Sequence, residues 1–392
     1  MSDPPPPLDL PSEVLDIAQT LERAGYETWA VGGALRDRLL GLAGGDVDLA
    51  TAATPDQVQR LFPRSVPVGV KYGTIGVLDR NRTLHEITTF RKDVKTDGRH
   101  AVVEFGVSLD EDLARRDFTV NALAYHPERG WRDPFEGWPD LHRKLIRAVG
   151  DPAGRFAEDY LRILRALRFA ARFEFTIDPA TWEAARAAAP GLRGLSAERV
   201  RDEWFKGLET AGSLRRLVQL WQSSGAAEVW LPELAADPGL AEPAPERRDP
   251  VVLTALLCRE PATVLVRLRA SNMEIGRARA LEAGPREPES PEPLAVRRWM
   301  ARVGPAADDL MLLARYRIGS VPAWVPVVEA TRSRRDAVTR GQLAVTGEDL
   351  AGAGIEPGPA MGRLLERLLD LVIEDPALNT RDSLLRKVRE WS

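Results

Sequence analysis

The hydrophobic pattern of this chain changes period partway along its length. Residues 28–31 form a short apolar, β-prone run, and Gly32-Gly33 breaks it before residues 34–40, whose composition favours a helix. Between about residues 62 and 105, short stretches alternate apolar and polar positions between turns, which is the period of strands. From Asp151 onward the spacing is almost wholly helical. In the stretch around residues 158–170, Ile163, Leu164, Leu167 and Ala170 gather on one half of a helix while Asp159, Arg162, Arg165 and Arg168 fan over the other. Proline and acidic residues cluster at 237–250 and 284–293, the composition of linkers between helical units. The pattern therefore predicts an α+β chain, a mixed α/β head followed by an extended helical remainder with no fixed-period repeat.

Asp46 and Asp48 follow shortly after the glycine turn. Alternate side chains of an extended strand share a face, so both carboxylates would point into one space and could hold a divalent cation. The strand, glycine turn and helix start place free backbone N–H groups where a triphosphate can sit, with Gly32 and Gly33 in the turn and Arg36 adding positive charge. Glu86, in the β-rich run 83–90, offers a third carboxylate able to lie beside that strand in one sheet. Three acids could hold two metals, one activating an attacking hydroxyl and one bridging the phosphates of a nucleotide.

Hydrogen-bond inventory gives the helical fan a use. Cytosine and adenine each present an amino donor beside a ring acceptor, so an acceptor-only Asp159 next to a donor-only Arg162 fits both. Uracil and guanine present the reverse pattern and would leave buried charges unpaired. The plain alternative for the fan, Arg165 and Arg168 included, is ion pairing with Glu158 or with acids of the head.

The segments 31–48 and 115–125 (RRDFTVNALAY) together resemble the class II tRNA nucleotidyltransferase and bacterial poly(A) polymerase family. Residues 133–137 and 146–150, the stretch 155–169 and the stretch 196–203 agree with the family's further motifs, in the same order. The resemblance implies a polymerase-beta-like nucleotidyltransferase head at 21–150 after an extension at 1–20. A helical neck at 151–210 would recognise the base, and a body and tail at 211–392 would bind tRNA. It implies Asp46 and Asp48 as Mg²⁺ ligands and Gly33 and Arg36 as triphosphate and ribose contacts. Arg116 would also contact nucleotide, Asp159 and Arg162 would be the amino-acid template for CTP and ATP, and Arg165 and Arg168 would line the same pocket. Asp117 and Asn121 read as braces of their turn. The motif-like tail at 345–362 would hold tRNA. Segment 91–101 occupies the place of a flexible loop that helps relatives switch from cytidine to adenosine. It carries Ala101 where proline is common, which leaves open whether the chain adds CC, A or all of CCA.

Composition bounds the alternatives. A net charge of −4 and the lack of a long basic extension disfavour a poly(A) polymerase, and RNA binding would use local basic surfaces at 143–147, 155–172 and 199–206. Intact Asp46, Asp48 and Arg116 disfavour a noncatalytic RNA-binding relative, and the long helical remainder disfavours a small-molecule acceptor. The single cysteine, Cys258, excludes an internal disulfide and fits a reducing cytoplasm. The proline-rich start has no signal-peptide character, and no stretch suits a bilayer span. All four histidines lie in the first half, so the second half carries no His-Asp phosphohydrolase centre. Oligomeric state is not encoded in any of these patterns.

Overall fold

The computed structural model describes residues 4–43, 45–96, 101–235 and 248–391, and the chain divides into two compact units, 1–232 and 233–392. The first unit opens with helix α1 (Ser12–Arg23), strand β1 (Thr28–Val31), helix α2 (Gly33–Leu39), strand β2 (Asp48–Thr51) and helix α3 (Pro55–Leu61). Strands β3 (Ser65–Gly69), β4 (Thr74–Leu78), β5 (Leu84–Thr89), β6 (Arg91–Thr96) and β7 (Ala101–Phe105) follow. Next come α4 (Leu109–Ala114), β8 (Ala124–His126), β9 (Gly130–Arg132), α5 (Gly137–His142) and β10 (Leu145–Ile146).

Seven strands form one mixed sheet in the order β3-β4-β5-β2-β1-β8-β9, with β2 and β5 parallel and the other pairs antiparallel. Alternation decides which face is covered. Leu49, Ile75, Val77 and Ile87 point to one side and are buried against Val14, Ile17 and Leu21 of α1 and Val58 of α3. Each such side chain contributes roughly 1.5–3 kcal/mol over leaving it in water. The opposite positions, Asp48, Glu86 and Thr88, stay on the open face. The strand expected at 28–31 and the strands expected between 62 and 105 are present, and residues 91–96, expected as a flexible loop, instead pair as β6 with β7. The middle of that loop, 97–100, lies outside the described residues.

Helices then take over: α6 (Pro152–Glu158), α7 (Leu161–Phe173), the short β11 (Thr176–Ile177), α8 (Pro179–Ala188), α9 (Ala197–Thr210), α10 (Leu214–Ser223) and α11 (Ala226–Trp230). Asp151 caps α6 by accepting the Gly154 N–H at 2.8 Å, and Pro152 fills the first helical position, where no N–H is needed. The apolar side of α7 packs through Ala166, Phe169 and Ala170 on Phe118, Val120 and Leu123. The fully buried Trp204 of α9 meets Trp221 of α10 edge to face, with centroids 5.1 Å apart.

The second unit is helical: α12 (Pro250–Leu257), α13 (Pro261–Arg267), α14 (Asn272–Ala283), α15 (Pro293–Val303), α16 (Ala307–Ile318), α17 (Val325–Arg334), α18 (Gly347–Gly352), α19 (Pro359–Glu374) and α20 (Arg381–Trp391). Leu350, Leu368, Val372, Leu384 and Val388 build its terminal core. The linker expected at 284–293 runs without helix or strand between α14 and α15, whereas the one at 237–250 falls largely outside the described residues. Among the described residues no helix is long and apolar enough to cross a membrane.

Candidate active site

The open face of the sheet carries the acids. Leu49 pairs with Ile87 and Ala50 with Thr88 across the parallel β2–β5 ladder, so Asp48 and Glu86 sit at matching positions on one face. The expectation that Asp46 and Asp48 share a strand needs one correction. Strand β2 begins at Asp48, and Asp46 lies in the preceding loop, exposed, with buried Val47 between them. Alternation already holds there, which keeps both aspartates on one side. With Glu86 they border a cleft of about 750 Å³ that also takes in Gly32, Gly33, Arg116, Asp159 and Arg162.

Gly32 is required by the approach of its backbone to Asp48. Its φ is +93°, and an added Cβ would lie 3.1 Å from Asp48 Oδ2. Burial, then the neighbouring Glu86, pushes the Asp48 carboxyl up to about 6; Arg116 opposes the shift and Asp46 adds to it. None of the three carboxylates is hydrogen-bonded or ion-paired to another described residue, and among the described residues no three acid, His or Cys side chains close into a metal cage. The oxygen donors and their crowding, offset only in part by Arg116, nevertheless suit a divalent cation.

Arg116 faces these acids. Its Nη1 would stand 3.8 Å from a Cβ at Gly32 and donates to the Asn121 carbonyl at 3.3 Å, and its Nη2 donates to Asp112 at 3.4 Å. Its buried Nε has no partner, and burial lowers its pKa.

The fan differs from a single helix. Residues 158–169 were expected to be continuous, but the chain breaks at Asp159, whose extended backbone (φ −155°, ψ 104°) separates α6 from α7. The Asp159 side chain compensates by accepting the Leu161 N–H at 3.0 Å, and its other oxygen accepts from Arg199 of α9 at 2.6 Å. Arg162 donates through Nη1 to Glu158 at 2.6 Å and to the Arg155 carbonyl at 2.9 Å. Arg165 donates to Asp117 at 2.7 Å, and buried Arg168 to buried Glu203 at 2.6 Å. Although burial alone would raise the Asp117 carboxyl, Arg165 and the bonds from Asn121 and the Phe118 N–H hold it down to about 2. Asp117 and Asn121 thus brace their turn as the sequence suggests, while Arg165 and Arg168 line the cleft with their charges already paired.

Arg36 also lines the cleft but is 3% exposed. Its Nε and Nη2 donate to Asp37 at 2.9 and 2.6 Å, and its Nη1 donates to Asn121. The guanidinium lies 4.9 Å from the Phe169 ring and 4.6 Å from Phe173, so it pins α2 to α7. Sequence reasoning assigned Arg199 only to a basic RNA surface at 199–206, not to the pairing with Asp159, and missed Glu203, although the stretch 196–203 carries both. A glutamate interrupting the buried Val200, Trp204 and Leu208 stripe was the available signal.

A family model described as the Poly A polymerase head domain matches residues 28–147, and one described as a probable RNA and SrmB-binding site of polymerase A matches residues 174–237. The chain is 35% identical to a CCA-adding enzyme of Levilactobacillus brevis, across 95% of this chain and 96% of that protein. It is 32% identical to one of Streptococcus mutans, across 97% and 98%. The crystal structure of the Bacillus stearothermophilus CCA-adding enzyme in complex with CTP superimposes with a TM-score of 0.80 at 31% identity, covering 96% of this chain and 97% of that one. A Thermotoga maritima CCA-adding enzyme complexed with tRNA shares the fold, with a TM-score of 0.68 at 19% identity over 98% of this chain and 97% of that one.

Proposed function

This chain belongs to the CCA-adding enzyme family of nucleotidyltransferases, and on that premise we propose that it builds the CCA end of tRNA from CTP and ATP without a nucleic-acid template. The observation that carries the reading is one cleft in which the acids of β2, its preceding loop and β5 stand together with Asp159 and Arg162 of the α6–α7 junction. The relatives named CCA-adding enzymes align along almost the whole chain, which favours addition of all three nucleotides over CC or A alone.

Asp46 and Asp48, with Glu86 alongside, would hold Mg²⁺, two ions in the full arrangement. Held by these carboxylates, a divalent ion would supply Lewis acidity, making the terminal ribose hydroxyl easier to ionise and offsetting phosphate charge as pyrophosphate leaves in line. The Gly32-Gly33 turn offers backbone N–H groups to the triphosphate, and Arg116, whose Nη1 faces that turn in the same cleft, adds a cationic donor. Arg36 acts through the turn it anchors, since each of its nitrogens already donates. Each Asp159 oxygen has one bond and keeps a lone pair for an exocyclic amino group. Arg162 makes no bond through Nε to a described residue and can donate to a ring nitrogen. Arg165 and Arg168, fixed by Asp117 and Glu203, would shape the wall behind the base. In this division of labour residues 21–150 do the chemistry, 151–210 select the base and 211–392 hold the tRNA.

Incubating the protein with Mg²⁺, tRNA lacking its last three nucleotides and each labelled nucleotide tests this. Two cytidines followed by one adenosine are expected, with no use of UTP or GTP. Arrest after CC or addition of A alone would reassign the member, and long adenosine tails or no incorporation would refute the reading.

A further inference from the structure

The same open face of the sheet continues past Glu86 into an apolar strip that no described element covers. Gly76 of β4 pairs with Glu86 on β5 and with Val66 on β3, so Val66, Gly76, Glu86 and Asp48 form a row across four strands. Around Gly76 the side chains close in. A Cβ there would meet Leu84 Cδ1 at 2.7 Å, Val68 Cγ2 at 2.8 Å and Val66 Cγ2 at 3.1 Å. The result is a flat aliphatic surface on which Val66 is 39%, Val68 48% and Leu84 38% exposed. Beyond it, Tyr72 is also exposed, with the largely buried Arg91 guanidinium 5.9 Å from its ring, and the exposed Lys71 has no partner among the described residues. Arg91 borders the catalytic cleft as well.

Resting on the function proposed above, we propose that Val66, Val68, Leu84 and Tyr72 form the platform on which the unpaired bases just upstream of the acceptor RNA's 3′ terminus lie, with Lys71 meeting their phosphates. An exposed aromatic ring among apolar side chains, edged by a cation and neutral to base identity, matches the way single-stranded nucleic acid is held. Position agrees with this. The edge strand is three ladder steps from Asp48, about 14 Å at the usual strand spacing. A stacked strand rises about 3.4 Å per nucleotide, so a chain whose last hydroxyl reaches Asp48 lays the preceding two to four bases on this strip. A second copy of the chain adding a strand at the β3 edge fits less well, because Pro67 in the middle of β3 lacks the N–H a ladder needs.

The test is Val66→Glu/Val68→Glu in the full-length protein, assayed with tRNA lacking CCA. The KM for tRNA should rise at least tenfold while kcat at saturating tRNA and the KM for CTP stay within about twofold. A tRNA KM within twofold of wild type, in a wild-type protein that is active, overturns the platform alone. A wild type that incorporates nothing overturns the proposed function and the platform with it. Should the double variant lose CTP binding through misfolding, Val68→Ser/Lys71→Ala, which adds no charge to the face, decides the matter: a threefold or larger rise in the tRNA KM supports the platform and no change overturns it. A lowered oligomeric state in either variant would assign the face to a second copy and also overturn it.

Discussion

Replacing Asp48 by asparagine keeps its shape and removes a charge the folded protein holds at a cost. The carboxyl is raised from 3.8 to about 6 by burial and by Glu86. At about 1.4 kcal/mol per pH unit the ionised form would cost the fold about 3 kcal/mol, reduced to about 1–2 kcal/mol because the group is only partly buried and water screens it. The sign follows from proton counts. Between the unfolded and folded values the native state binds more protons, so stability falls as pH rises from about 4 to about 6 and is level above. Other carboxylates, Asp117 above all, titrate in the opposite sense, so the informative quantity is the difference between variant and wild type. Urea unfolding in EDTA should show no difference near pH 4 and a variant more stable by about 1–2 kcal/mol at pH 8. Saturating Mg²⁺ should stabilise the wild type and leave the variant unchanged. CMP incorporation should fall at least about a thousandfold, the equivalent of about 4 kcal/mol of lost transition-state stabilisation. A variant less stable than wild type at pH 8, or one that retains turnover, would refute the placement of Asp48 in a crowded acid cluster that binds metal.

Asp159→Ala should leave chemistry possible but raise misincorporation of UTP and GTP, and undiminished discrimination would remove Asp159 from base selection. Glu203→Leu strands Arg168 in a buried site and should cost about 3–5 kcal/mol in urea unfolding, with Arg168→Met in the same chain recovering most of it; equal losses in single and double variants would show that no pair energy exists. Burial pushes the Cys258 thiol up to about 12, so a thiol reagent at pH 8 should react only as fast as the second unit opens, and rapid labelling of the native protein would contradict its packing.

The amino-acid sequence makes some of this site legible and hides the rest for physical reasons. Alternation at 46–48 and 84–89 is a local property, so the shared side of Asp46 and Asp48, and that of Leu84, Glu86 and Thr88, can be read before any strand order is known. That β5 lies beside β2 is a long-range pairing which local pattern does not contain. The break at Asp159 is hidden because its neighbours all favour helix; the side-chain bond to the Leu161 N–H that stabilises the extended residue competes locally with helix. Arg36 looks like a phosphate ligand because it follows a glycine turn, and only folding brings Phe169 and Phe173 around it. Arg199 and Glu203 gain their importance in the same way, from α9 packing along α7.

Diffraction from crystals of the protein grown with CTP and Mn²⁺ tests the central claim most directly, because the ion's anomalous signal locates it independently of the protein. The metal should lie within coordination distance of Asp46 and Asp48, with the cytosine edge against Asp159 and Arg162. A metal bound elsewhere, or a cytosine turned away from the α6–α7 junction, would contradict it.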